Sequence, residues 1–236
     1  MSNIVTLSVK DAAPMSAYVA LPEGNGPFPG VIVFQEAFGV NGYMRGVADR
    51  IAKQGYIAIA PELFHRTAPA GFTGSYTDFA AIQEHFQAIT TEGLEADAQA
   101  AYDWLQANDK VKKDNIGCIG FCLGGRVSFI ANTFLPLKAA VSFYGGGTHT
   151  LLDRADKMSG TQLFFWGGKD QHIKPEYVQE VVEAVKKAGK DYVNVEISYA
   201  DHAFLNHERP SYNADAAHEA WGMVDEFFKN KFGMNG

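Results

Sequence analysis

The chain reads as an α/β protein: a mostly parallel central sheet with helices on both faces, opened by an antiparallel N-terminal hairpin. Three observations predict this. Several strands are short, continuous apolar runs, such as residues 30–35 and 162–166, as expected of strands covered on both faces. These runs alternate with longer stretches of helical periodicity. The chain has 236 residues, 47% hydrophobic and 20% charged, and no linker-like tract, so residues 1–236 read as a single domain.

The elements follow in order. Residues 4–9 alternate apolar and polar, a turn is expected around 11–14, and residues 16–21 return as the second hairpin strand. A loop with Pro22, Gly24, Gly26 and Pro27 leads into the strand at 30–35. A helix over 43–53 and a strand over 56–60 come next, and then an irregular stretch, 61–76, suited to shaping a cleft. Helical pattern runs from 78 to 106 with a break near 90–93. Strands at 115–119, 139–143, 162–166 and 192–197 then alternate with helices at 126–131, 175–187 and 214–229.

Composition narrows the function. A formal net charge of −7 argues against nucleic acid or an anionic membrane as the main partner. The N-terminus shows no basic leader followed by a long apolar segment, and no run approaches the ~18 apolar residues of a membrane span. The two cysteines, Cys118 and Cys122, lie on one short strand and turn, a poor geometry for a disulfide. A reducing, cytoplasmic setting is expected.

Residues 120–125, Gly-Phe-Cys-Leu-Gly-Gly, join a strand abruptly to a helix. Such a turn needs small flanking residues, here Gly120 and Gly124, and lifts its apex residue clear of the sheet. Cys122 holds that apex at a helix N-terminus, where free N–H groups favour negative charge. This is the nucleophile-elbow pattern G-x-S-x-G with cysteine for serine. Cys118, inside the strand, reads as a packed small hydrophobe.

A nucleophile of this kind needs a base and a group to orient that base. Asp170 follows one strand end in Gly-Gly-Lys-Asp, and His202 follows another in Asp-His-Ala-Phe. Sites in such sheets lie at the carboxyl ends of strands. The chain order nucleophile, acid, histidine is that of α/β-hydrolases. Asp201, adjacent to His202, rivals Asp170, which is preferred because an orienting acid normally comes from a different strand end. Glu36 stands just past the strand at 30–35, where its carboxylate reads either as functional or as loop charge. A metal reading through His149, His202 and His207 matches no zinc spacing, and no metal or organic cofactor is expected.

These segments, with Gln35-Glu36-Ala37-Phe38-Gly39 and Pro61-Glu62-Leu63-Phe64, resemble the dienelactone hydrolase (carboxymethylenebutenolidase-like) family over nearly the whole chain. The resemblance implies an α/β-hydrolase fold and hydrolysis of a small ester or lactone. It implies that Cys122 is the nucleophile, His202 the base and then acid, and Asp170 its orienting partner. Glu36 would interact with the resting thiol, and the N–H groups of Ala37 and Leu123 would form the oxyanion hole. The chain departs from the family at Asn206, where members that hydrolyse dienelactone carry an arginine for the substrate carboxylate; Arg66 could contribute instead. Phe38, Tyr144 and Phe204 are further candidates for lining the substrate pocket. Three other readings stand beside this one. The same thiol could attack a phosphotriester, the fold could serve only to bind a ligand, or the thiol could be a redox centre, although C-x-x-C spacing is lacking. Oligomeric state is not legible.

Overall fold

The structure, a computed structural model, describes residues 2–10 and 14–234, so the expected turn at 11–14 lies largely outside the described residues. Eight strands follow the order β1-β2-β4-β3-β5-β6-β7-β8. Chain contacts define two compact units, residues 1–118 and 119–236, with the division inside β5.

In the first unit, β1 (Ser2–Leu7) and β2 (Met15–Ala20) form the expected antiparallel hairpin, Leu7 facing Met15. β2 pairs antiparallel with β4 (Ile57–Pro61), which runs parallel to β3 (Phe28–Phe34). Val31, Ile32, Val33 and Phe34 are all fully buried, as the unbroken apolar run requires. Helix α1 (Gly42–Lys53) starts because the Asn41 side chain accepts the Met44 N–H at 3.1 Å. Its buried face, Tyr43, Met44, Val47, Ala48, Ile51 and Ala52, recurs at three- and four-residue spacing and packs on β2, β3 and β4.

The expected break in the long helical region separates α2 (Ala80–Gln87) from α3 (Thr91–Ala107). Its cause is local: the Thr90 hydroxyl accepts the Gly93 N–H at 3.0 Å and caps α3 as a new helix. β5 (Val111–Phe121) is longer than the sequence suggested. Its first five residues mix charged, polar and apolar types, which hides the strand pattern.

In the second unit, α4 (Leu123–Asn132) follows β5 after one residue. β6 (Ala139–Phe143), β7 (Thr161–Gly167) and β8 (Tyr192–Ile197) run parallel. A 3-10 helix (Thr148–Lys157), not anticipated from the pattern, lies between β6 and β7. Helices α5 (Pro175–Lys187) and α6 (Ala214–Lys231) complete the unit. Beneath the strand ends, Phe121 stacks on Phe143 at 5.3 Å, and Phe143 on Phe165 at 4.4 Å. Three successive strands therefore terminate on one aromatic layer. Among the described residues no helix is long and apolar enough to cross a membrane.

Candidate active site

Cys122 is the single residue between β5 and α4, with φ 54° and ψ −110°. A non-glycine residue there stores roughly 1–3 kcal/mol of strain, held by the structure around it. Two close approaches hold it. A Cβ on Gly120 would stand 1.9 Å from the Gly124 carbonyl oxygen, so only glycine lets the chain fold back on itself. A Cβ on Gly125 would stand 2.5 Å from the Phe143 oxygen and 2.8 Å from the Gly145 Cα, so the first turn of α4 lies directly against the end of β6. The Cys122 N–H donates to the Phe143 oxygen at 3.0 Å, tying the apex to that same strand end. Leu123 opens α4, where a backbone N–H has no helical acceptor. Cys118 is buried within the strand, whereas Cys122 is partly exposed.

Two loops of the same unit bring an aspartate and a histidine together. After β7, Asp170 accepts the N–H groups of His172 (2.7 Å) and Ile173 (3.1 Å) on Oδ1. That leaves Oδ2 to accept from His202 Nδ1 at 2.7 Å. After β8, His202 is followed by Ala203 in the left-handed region, φ 61°, which turns the chain back towards the core. Asp201 does not serve the ring. Its Oδ1 instead accepts the backbone N–H of His202 at 2.7 Å. The Tyr144 ring lies 5.0 Å from the imidazole on one side and His172 lies 5.0 Å away edge-on.

The electrostatics follow from this packing. Burial pushes the His202 ring towards neutrality, but hydrogen bonds to Asp170 and Cys122, and the negative charge of both, override it and raise the ring from 6.5 to about 10. For Asp170, burial acts upward; the bond to His202, that ring's charge and the two N–H groups prevail and hold the carboxyl below 3.8. His202 and Asp170 are thus hydrogen-bonded to each other, and the state of the ring responds to Cys122 as well.

The other sequence candidates occupy varied settings. Glu36 is 1% exposed at the end of β3 in the first unit, followed by buried Ala37 and Phe38. The segment is held by Gln35, whose Nε2 donates to the Glu36 oxygen and whose Oε1 accepts the Leu63 N–H at 3.0 Å. Phe38 packs edge-on to Tyr76 at 4.8 Å, in a cluster with Ala37 and Ile82. Arg66 donates to both Asp97 oxygens, at 2.8 and 2.9 Å, and to the Gly93 carbonyl. Phe204 and Asn206 are fully buried beneath the His202 turn, where Asn206 Oδ1 accepts the Glu208 N–H. Among the described residues no group of three or more His, Cys, Asp or Glu could hold a metal ion.

Sequence reasoning missed Gly125 and Gly145, which set the elbow against β6, and the two N–H groups that aim Asp170. The doubled glycine at 124–125 and the triple at 145–147 were the available signals.

A strained cysteine between strand and helix, with an acid and a histidine delivered from two later strand ends, defines a hydrolase of the α/β type. The family model for the dienelactone hydrolase family matches residues 15–232, and the chain belongs to that family. A relative from Synechocystis sp., assigned as a carboxymethylenebutenolidase, is 34% identical over 227 residues, covering 92% of each chain. One from Escherichia coli with the same assignment is 34% identical and covers 91% of this chain and 82% of its own. Among solved structures, an assigned dienelactone hydrolase from Klebsiella pneumoniae superposes with TM-score 0.87 at 30% identity, covering 97% and 98% of the two chains. A dienelactone-hydrolase-like promiscuous phosphotriesterase from metagenomic libraries gives TM-score 0.86 at 26% identity, covering 98% of both.

Proposed function

We propose that this protein hydrolyses ester or lactone bonds of small molecules through a Cys122–His202–Asp170 triad and a thioester intermediate. The observation that carries the reading is the 2.7 Å contact between Asp170 and the His202 ring, beside the strained Cys122 at the elbow. Asp170 on Nδ1 leaves Nε2 as the nitrogen that serves the sulfur. The thiol gives its proton to His202 Nε2 as the sulfur attacks the carbonyl carbon, and the oxyanion is held by the N–H groups of Leu123 and Ala37, each worth roughly 100- to 1,000-fold in rate. The tetrahedral adduct collapses, the C–O bond breaks, and the departing alkoxide takes its proton from His202. His202 then removes a proton from water, whose oxygen attacks the thioester; the acid leaves and the thiol is restored.

In this reading Glu36 interacts with the resting thiol and guards it, so Glu36→Gln should speed alkylation of Cys122 at neutral pH. The two free cysteines suit a reducing compartment, and a cytoplasmic location is part of the proposal. Residues 1–236 act as one catalytic domain. The decisive assay is hydrolysis of 4-nitrophenyl acetate: Cys122→Ala abolishes it and Cys118→Ala retains most of it, whereas equal loss from both would reject the thiol as nucleophile.

A second reading draws on the phosphotriesterase among the structural neighbours. The same thiolate could form an S–P bond with an activated phosphotriester, expelling an aryloxide, with water completing the cycle. Diethyl 4-nitrophenyl phosphate assayed beside 4-nitrophenyl acetate separates the two.

A further inference from the structure

His172 is the residue of the Asp170 loop whose side chain the proposed chemistry leaves without a task. Its backbone N–H donates to Asp170 Oδ1 at 2.7 Å, and its ring lies 5.0 Å from the His202 imidazole with the planes 77° apart. The residue is otherwise exposed, a setting in which a side chain normally keeps its rotamer freedom. Close backbone contact between the two loops sets the ring where it is. The Lys169 N–H donates to the Ala200 oxygen at 2.9 Å, and the Gly168 N–H to the Ile197 oxygen at 2.9 Å. A Cβ on Gly167 would stand 2.7 Å from the Ala200 oxygen, and one on Gly168 2.6 Å from the Ser198 Cα. The turns that hold Asp170 and His202 therefore meet backbone on backbone, and the Asp170 turn brings the chain back at His172. Tyr144, just past β6, packs on the same imidazole at 5.0 Å, so His202 is flanked by two rings.

That flanking matters most at one point of the cycle. Burial disfavours the charged ring, and it is Asp170 and Cys122 that favour it. Once the thioester has formed, the ring has given its proton to the departing alkoxide and the sulfur carries no charge. The neutral ring then relies on the Nδ1 bond to Asp170. The second torsion of a histidine side chain is broad and roughly two-fold. A neutral imidazole can therefore turn over and present carbon where Nε2 must take a proton from water. Rings on two flanks oppose that rotation. We propose that His172 is a positioning residue for thioester hydrolysis, whose ring holds the neutral His202 imidazole with Nδ1 on Asp170 while water attacks. This role rests on the triad and the thioester proposed above.

Substitution isolates the ring, because the N–H that serves Asp170 belongs to the backbone and survives in His172→Ala and His172→Phe. With 4-nitrophenyl acetate, rapid mixing separates the burst of 4-nitrophenolate, which reports thioester formation, from the steady rate, which reports thioester hydrolysis. In His172→Ala the steady rate should fall roughly 3- to 10-fold, the worth of one aromatic pair. KM should fall by the same factor, leaving the burst rate and kcat/KM unchanged. His172→Phe restores a ring and should recover most of kcat. A fall in kcat/KM at constant KM, an unaltered kcat, or no rescue by phenylalanine would overturn the role, and the hydrolase reading would survive. A second measurement needs no turnover. Iodoacetamide alkylates Cys122, forming an S–C bond as iodide and the thiol proton leave, and the sulfur is then uncharged as in the thioester. Cys118 is fully buried, and mass spectrometry assigns the adduct. At a pH where the ring is neutral, nitrogen NMR of the alkylated wild type should show His202 as a single Nδ1–H tautomer, and alkylated His172→Ala should show a mixture. His202→Gln identifies the signals, and identical spectra would overturn the role. If the spectra differ in this way but the wild type hydrolyses no ester, the positioning of the ring stands and the hydrolase reading fails.

Discussion

Replacing Asp170 by asparagine isolates the electrostatic contribution of one carboxylate. The side chain is 2% exposed and that of His202 12%, so water screens the pair little. An amide oxygen can still accept the His172 and Ile173 N–H groups, which keeps the loop in place. The amide NH2 then faces Nδ1, which must become an acceptor, so the ring proton moves to Nε2 and points at the sulfur. That tautomer cannot serve as base, and a loss of roughly 100- to 10,000-fold in kcat/KM is expected. The pH profile carries a second, independent signal. Raising the ring from 6.5 to about 10 corresponds to about 5 kcal/mol in favour of the charged form. The bond to Asp170 is the strongest upward influence. The alkaline limb of kcat/KM, which reports the ring as acid, should therefore lie near pH 10 in the wild type and move to lower pH in Asp170→Asn. A loss below tenfold with an unmoved limb would refute the argument.

Other outcomes follow from the same geometry. Asp201→Asn keeps an acceptor for the His202 N–H and leaves the ring's partner untouched, so 4-nitrophenyl acetate hydrolysis should fall by less than about tenfold, far less than for Asp170→Asn. Gly125→Ala drives a methyl group into the Phe143 carbonyl. Overpacking of that kind costs about 1–3 kcal/mol, or roughly 2–12 °C in Tm for a chain of this size, and thermal melts should show it together with lost activity. Stability should also vary with pH. The raised ring contributes fully below 6.5, and its contribution is lost as pH climbs through about 10; the lowered carboxyl contributes above 3.8 and loses its share as acid protonates it. Urea titrations of wild type and His202→Gln should therefore converge as pH rises from 6.5 towards 10, and a constant gap would count against the pair.

Much was legible along the chain because it is a local property. Continuous apolar runs specify strands covered on both faces, and Asn41 and Thr90 each supply the oxygen that starts a helix. The glycine-bracketed cysteine is likewise a signature of neighbours in sequence, since Gly120 and Gly124 meet within one turn. The order Cys122, Asp170, His202 follows from three strand ends, and the chain alone displayed it.

Other features depended on residues far apart in sequence. Asp170 and Asp201 are the same residue type at similar strand ends; only folding showed that one carboxylate meets the imidazole and the other a backbone N–H. Gly125 and Gly145 have no visible reason in sequence, because the reason is a contact across twenty residues between α4 and the end of β6. Arg126 falls in the helical stretch at 126–131, and only the tertiary structure shows its Nε buried without a hydrogen-bond partner among the described residues. Secondary structure and the glycine-bracketed elbow are set by neighbours along the backbone; pairing and burial are set by which distant groups the packed sheet brings within a few ångströms.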